Sequence, residues 1–262
     1  MKKQLASLSK TLITLILGII LMLGLPMQKS LAVSPKELQQ LQQVFDIQLQ
    51  RSYTRGVKDA AHARENEIDN ILWSITPDNP DLIWRQVDGK AEVLMVTWTS
   101  WNGYDNNVGE KMQLSREVWT TPAPQVQTFG SQLNLNEDNL TLRLEQYLGL
   151  PPHSGKTKFV QMWVEPKDLF RPCPDPEISD TSCDLEFPAN VEPPHEEWVN
   201  DKILTSYGEN GYPWTRLGYT YDWGNIATEI GGSEFVVRSG AEVEIDSVIN
   251  TVEYVQQNLA LS

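Results

Sequence analysis

Four acidic side chains stand among aromatic residues in the second half of the chain: Glu196 and Glu197 in HEEW, Asp222 in YTYDWG and Glu234 in SEFVV. Paired carboxylates are the simplest apparatus for glycoside hydrolysis. One acid protonates the leaving oxygen, and the second attacks or activates water. Neighbouring rings would suit the C–H faces of a glycan. Each acid also has an ordinary reading. Glu196 and Glu197 fall at the start of an expected helix, where the macrodipole favours negative charge. Asp222 can pair with Arg216 or close a turn before Gly224. Asp222, Glu234, Glu196 and Glu197 are therefore weak catalytic candidates, and structural roles outweigh catalytic ones for each.

Residues 212–225 read YPWTRLGYTYDWGN. Tyr and Trp bury large apolar areas while keeping one polar tip, so such rings build either a core or the wall of a ligand site. Trp214, Tyr219, Tyr221 and Trp223 are the candidate ligand contacts. Arg216 is the cation among them, able to clamp a carboxylate or phosphate bidentately or to stack on a neighbouring Trp. Leu217, Tyr219 and Tyr221 alternate as in a strand, and Gly218 between them signals a bulge or a close approach.

Three motif fragments fail on spacing. GLPPHSGKT (residues 149–157) resembles a phosphate loop, but five residues separate its glycines instead of four, and an expected helix precedes it instead of a strand. HEE at 195–197 lacks the second histidine of H-E-x-x-H, and the three histidines of the chain are not at helical spacing from one another. GGSEF at 231–235 lacks the closing glycine of G-x-S-x-G.

Asp175, Glu177, Asp180, Asp184 and Glu186 crowd the segment between and around Cys173 and Cys183. Calcium takes six to eight oxygens from irregular loops and is the one metal this composition could hold. The ligand order of a calcium loop is absent, so the expectation is a solvated acidic loop, with no metal and no cofactor. An even cysteine count in an exported chain implies a disulfide between Cys173 and Cys183, stapling a Pro-rich loop at 171–194.

Export is read from the first 32 residues. Lys2, Lys3 and Lys10 precede an uncharged apolar run at 11–25, and Ser30-Leu31-Ala32 offers small residues at a cleavage site. That run would span only ~22 Å as a helix, short of a ~30 Å hydrocarbon core. A signal peptide cleaved near Ala32 is expected, with no stable membrane span afterwards. The product is destined for periplasm, lumen or the exterior. Loss of the leader removes four of the 21 bases and none of the 35 acids, leaving 35 against 17, or −18. Such a charge excludes nucleic acid and anionic lipid surfaces as partners.

The elements that must position these residues are legible by period. Ser34-Pro35-Lys36-Glu37 is a capping box with Pro at the first helical position. An apolar stripe from Leu38 through Leu41, Phe45, Leu49, Tyr53, Val57, Ala60 and Ile68 to Ile71 predicts helix from 34 to 75, with a break near 54–56 or 65–66. A hairpin follows at 82–101 around Asp88-Gly89. Its second strand, apolar on both faces, reads as the centre of a sheet covered by the long helix. Strands are expected at 116–121, 158–165 and 233–238, and helices at 138–148, 195–207 and 247–259. The fold class is α+β: a mainly antiparallel sheet packed against a long N-terminal helix and further helices, as one domain over 33–262. The function expected is that of an exported soluble protein binding a small molecule or an envelope protein. The alternatives are a carboxylate-based hydrolase and a structural envelope or lumen factor.

Overall fold

The computed structural model describes residues 34–133 and 135–256. The expected leader and the last turn of the expected closing helix lie outside them. The chain divides into two compact units after Val44. The described part of the first unit is the capped start of a helix, in which Ser34 Oγ accepts from Glu37 N–H and Glu37 Oε2 accepts from Ser34 N–H at 2.7 Å.

That helix, α1, spans Pro35–Ala60. It does not reach Ile75. A 3-10 turn occupies Glu65–Glu67, and Ile71 is 81% exposed. The stripe is real up to Ala60 and accidental beyond it, because apolar residues at helical spacing do not make a helix where the backbone finds other partners. Leu72 N–H, for instance, donates to Thr181 O at 2.9 Å.

The second unit has ten described strands, eight of which form one antiparallel sheet. They are β1 Trp84–Val87, β2 Lys90–Thr99, β3 Lys111–Gln113, β4 Val118–Pro122, β5 Lys158–Val164 and β6 Leu169–Phe170, followed by β7 Tyr219–Tyr221, β8 Ile230–Ser233, β9 Phe235–Val237 and β10 Glu242–Asn250. The spatial order is β3-β10-β5-β2-β4-β9-β6, with β1 also on β2, while β7 and β8 pair separately. The Asp88-Gly89 turn has both residues at positive φ (51° and 79°), the twist that two-residue hairpins require.

β2 is central and buried on both faces, as its apolar run implies. The cover is different from the expected one. Leu94, Val96 and Trp98 pack under three shorter helices, α2 Ala123–Ser131, α3 Glu137–Tyr147 and α5 Thr251–Gln256, through Val126, Leu144 and Tyr254. Val93 and Met95 face Leu82, Leu114 and Ile245 on the other side. From Leu49 onward α1 instead buries its stripe against Trp223 and Tyr221. A fifth helix, α4 Pro193–Ser206, begins after the cysteine-bracketed loop. Residues 247–250 continue β10 where helix was expected, because alternation carries Val248 into the ladder opposite Val160.

Candidate functional site

Two features of strand pairing open a cavity in the sheet. β2 pairs with β5 along its whole outer half, from Val93↔Val164 to Thr99↔Lys158. On its other edge it is served first by β1 and then by β4, whose registered pairs with β2 are Met95↔Pro122 and Val96↔Thr121. β4 then turns to β9, pairing from Thr120↔Phe235 to Val118↔Val237. The strands splay beyond Val96. Leu94 N–H donates to Ile83 O and Thr99 O accepts from Thr157 N–H, so even residues of β2 bond toward β1 and β4 and odd residues toward β5. The alternation turns Trp98 N–H and C=O toward the β4 edge, past the last registered β2–β4 pair, Val96↔Thr121.

The gap is a cavity of about 740 Å³. Its walls are Val96–Thr99 from β2 and Val118–Thr121 from β4, with Trp101, Tyr104 and Leu114 on one side and Tyr212, Pro213 and Trp214 on the other. The rings brace one another: Trp119 meets Trp214 edge to face at 6.3 Å, and Trp101 meets Tyr104 at 4.8 Å. Trp101 and Tyr212 are also more than half exposed, which sets them at the mouth. A volume of this size falls in the range of pockets that enclose drug-sized ligands.

Five charged side chains line it: Arg116, Glu117, Lys156, Lys202 and Glu234. Glu117 is saturated, accepting from Trp198 Nε1 at 2.7 Å and pairing with Lys202. Glu234 and Lys156 differ, since neither side chain has a hydrogen bond or ion pair among the described residues. Glu234 sits at the junction of β8 and β9, its backbone N–H donating to Gly218 O at 2.9 Å. It keeps partial accessibility within the lining, yet burial pushes its carboxyl up to about 8. Burial likewise lowers Lys156 from the usual ammonium range. At neutral pH Glu234 is thus largely a proton donor, and Lys156 is a cation short of solvent.

The loop that carries Lys156 is the segment that resembles a phosphate loop. It does cradle an anion, but one from the chain itself. The buried carboxylate of Glu145 accepts from His153 N–H at 3.1 Å and Ser154 N–H at 2.7 Å. With the N–H groups of His153 and Ser154 held by Glu145, the loop carries Lys156 to the cavity lining.

The aromatic stretch is mostly packing, with one wall given to the cavity. Tyr219 and Trp223 are core, their tips bonded to Glu67 O at 2.8 Å and Leu150 O at 2.9 Å. Tyr221 and Trp214 line the cavity, but they too are tied back, to Asp59 Oδ2 and to Pro172 O, both at 2.9 Å. Arg216 is engaged within the fold. It donates to Ala61 O at the end of α1, where a cation complements the helix dipole, and lies 5.9 Å over Tyr207 where a Trp was expected. Gly218, at φ +76°, answers the close approach expected of it: an added Cβ would stand 2.7 Å from Arg171 Cδ.

The four acids do not gather. Asp222 is 2% exposed and held by Arg143 of α3 at 2.8 and 2.5 Å, not by Arg216. It also caps the turn through Gly224 N–H, as expected. Asp222 lines a smaller cavity of about 240 Å³ with Arg55 and Trp223. Glu196 and Glu197 are exposed on the first turns of α4 and line neither cavity. Of the four, Glu234 alone lines the larger one.

Cys173 and Cys183 form the expected disulfide, with Cα atoms 6.5 Å apart. The loop it closes wraps the guanidinium of Arg171, which is fully buried. Arg171 Nε donates to Glu177 O at 3.1 Å and Nη2 to Asp180 O at 2.8 Å, and the group lies 4.9 Å over Phe235. Asp175, Glu177 and Asp180 have carboxylate oxygens within 4.8 Å of one another. Arg171 lies beside them, 3.5 Å from Asp180, and acts as their counter-ion. The acids thereby have a structural use in neutralising a buried cation. His195 fastens the same loop, its Nε2–H donating to Cys173 O at 2.8 Å, and burial lowers its pKa.

Lys156, Arg116, Thr97 and Trp119 were not singled out in the sequence. Lys156 was legible only as part of a failed motif, and Thr97 and Trp119 only as strand residues. The splay that makes them neighbours depends on pairing between distant segments. Among the described residues no helix is long and apolar enough to cross a membrane. Comparison of the chain with protein-family models, curated proteins and solved structures gives no match.

Proposed function

We propose that this is an exported binding protein whose small-molecule ligand occupies the cavity between β2 and β4. One observation carries the reading: a space of about 740 Å³, walled by tryptophans, in which two half-buried ionisable side chains, Lys156 and Glu234, lack partners among the described residues. An unpaired buried charge costs stability, and such costs concentrate where a ligand completes the site. Export draws its support from the leader and from the disulfide, which forms and persists in oxidising compartments. The carboxylate-pair hydrolase gains no support from acids that occupy different surfaces, and Glu117, the other acid in the cavity, is engaged by Trp198 and Lys202.

The test uses N-phenyl-1-naphthylamine, a neutral apolar dye that brightens out of water. The wild-type protein should enhance its fluorescence saturably. Thr97→Trp, which projects a ring from β2 into the cavity, should abolish the enhancement while circular dichroism stays unchanged. No enhancement by the wild type, or full enhancement by the folded variant, overturns the reading.

A further inference from the structure

The lining says more about the occupant than its size does. The chain as a whole is strongly acidic, with a formal net charge of −14. The cavity reverses that balance. Its cations are Arg116, Lys156 and Lys202, and its acids are Glu117 and Glu234. Glu117 and Lys202 cancel as a pair, and Lys202 is further occupied by Trp198, 5.3 Å from the ammonium. Arg116 and Lys156 remain against one carboxyl that its surroundings hold protonated at neutral pH. Low-dielectric walls strengthen whatever charge they enclose, so a net positive cavity in a negative protein selects against cations and draws anions inward. Arg116 is exposed and suits steering, whereas Lys156 is set deeper and suits contact.

The apolar part of the lining is equally specific. Trp119 and Trp214 stand perpendicular in contact and form one aromatic wall of the cavity. Such a wall favours a ring-bearing body, because aromatic pairs gain energy beyond their buried area.

We infer that the ligand is an organic anion with a flat, ring-bearing body, its anionic head on the ammonium of Lys156 and its rings against the wall that Trp119 and Trp214 form together. A protonated Glu234 supplies a donor to the same head or to a polar substituent on the body. This deepens the binding reading above and rests on it.

Calorimetric titration at pH 6.5 with three bodies of one shape separates the two claims: 2-naphthoate, 2-naphthamide and 2-naphthylmethylammonium. The naphthoate should bind roughly tenfold tighter than the amide, the worth of one charge-assisted hydrogen bond, and the ammonium weakest. Lys156→Gln should bring the naphthoate down to the level of the amide and leave the amide unchanged, and Lys156→Arg should restore the preference. An ammonium that binds as well as the naphthoate, or a Lys156→Gln variant that weakens all three alike, overturns the anion and leaves the cavity standing. Laurate, an anion of similar size without rings, should bind more weakly than the naphthoate; tighter binding overturns the ring-bearing body. Failure of every compound, or binding that survives Thr97→Trp, overturns the cavity itself and this inference with it.

Discussion

Arg171 and Lys156 are both cations withdrawn from water, and the protein treats them in opposite ways. Arg171 is enclosed by carbonyls of the stapled loop, a carboxylate at 3.5 Å and the face of Phe235. Lys156 has walls but no partners. A buried charge held by carbonyls, a carboxylate and a ring has become structure: removing it strands the groups that were arranged around it. A charge without a protein partner beside a cavity is what the proposed ligand would complete. The contrast extends to the acids. Asp222 is clamped by two hydrogen bonds from Arg143, whereas Glu234 faces the cavity alone.

The largest effect is expected where the most partners are lost. Arg171→Met should destabilise the fold by about 3–5 kcal/mol, because the carbonyls of Glu177 and Asp180 lose their donor and the acidic cluster loses its counter-ion. Chemical denaturation measures it. A loss below ~1 kcal/mol would break the comparison, since it would show Arg171 to be as dispensable as an unpartnered cation.

Glu234→Gln comes next and should act in the other direction. Its carboxyl titrates near 8 in the folded protein against a reference of 4.5. Between those values the folded state holds a proton that the unfolded state has released, so stability should fall as pH rises from about 5 toward 8. The glutamine variant cannot titrate. It should flatten that fall and be more stable than wild type at pH 8 by an amount on the order of 2–4 kcal/mol. Lys156 acts in the opposite sense, its depressed pKa making stability rise with pH up to 10.5, and it is common to wild type and variant, so it cancels in the comparison. A wild-type profile as flat as that of the variant would mean that Glu234 is ionised and partnered.

How far these two regions were legible in the sequence follows from the range of the forces involved. The staple was legible because compartment chemistry pairs cysteines without reference to the fold. The helix cap at Ser34, the Asp88-Gly89 turn and the double-sided apolar run of β2 were legible because they are local. The end of α1 was not, since the stripe persists to Ile71 while the backbone has already left for partners near 180. The cover of β2 was misread for the same reason: three short helices from distant segments, not α1, sit over Leu94 and Trp98. The cavity exists because β4 leaves β2 for β9 after two registered pairs, and no residue type records that departure. Aromatic richness pointed to Trp214 and Tyr221, which line the cavity, but rings tied down by their polar tips could not be told from rings left facing a void.

Opening the staple should cost less than removing the cation it surrounds. The double variant Cys173→Ala/Cys183→Ala is expected to lose about 2–3 kcal/mol, the loop-entropy value for a ring this small. The sharper quantity is its coupling to Arg171. If the loop exists to present carbonyls to the guanidinium, the double variant and Arg171→Met together should cost at least ~1 kcal/mol less than the sum of their separate losses. Strict additivity would detach the staple from the cation and make the coordination of Arg171 incidental to the disulfide.

Lys156→Met carries the smallest expected change in stability and decides most about the comparison. Truncating a charge that has no partner removes a desolvation penalty and retains an apolar stem of similar length, so the fold should gain between 0 and about 1 kcal/mol. Both outcomes are read from the same denaturation curves that should show a large loss for Arg171→Met. A loss above ~2 kcal/mol at position 156 would mean that the ammonium is bonded within the fold, and the cavity would lose its claim to an incomplete site. A neutral or stabilising result leaves the lysine without a structural reason to be there. Its half-buried position, its loop fixed by Glu145 and its place in a tryptophan-walled space then have one consistent explanation: the missing partner is supplied by what binds.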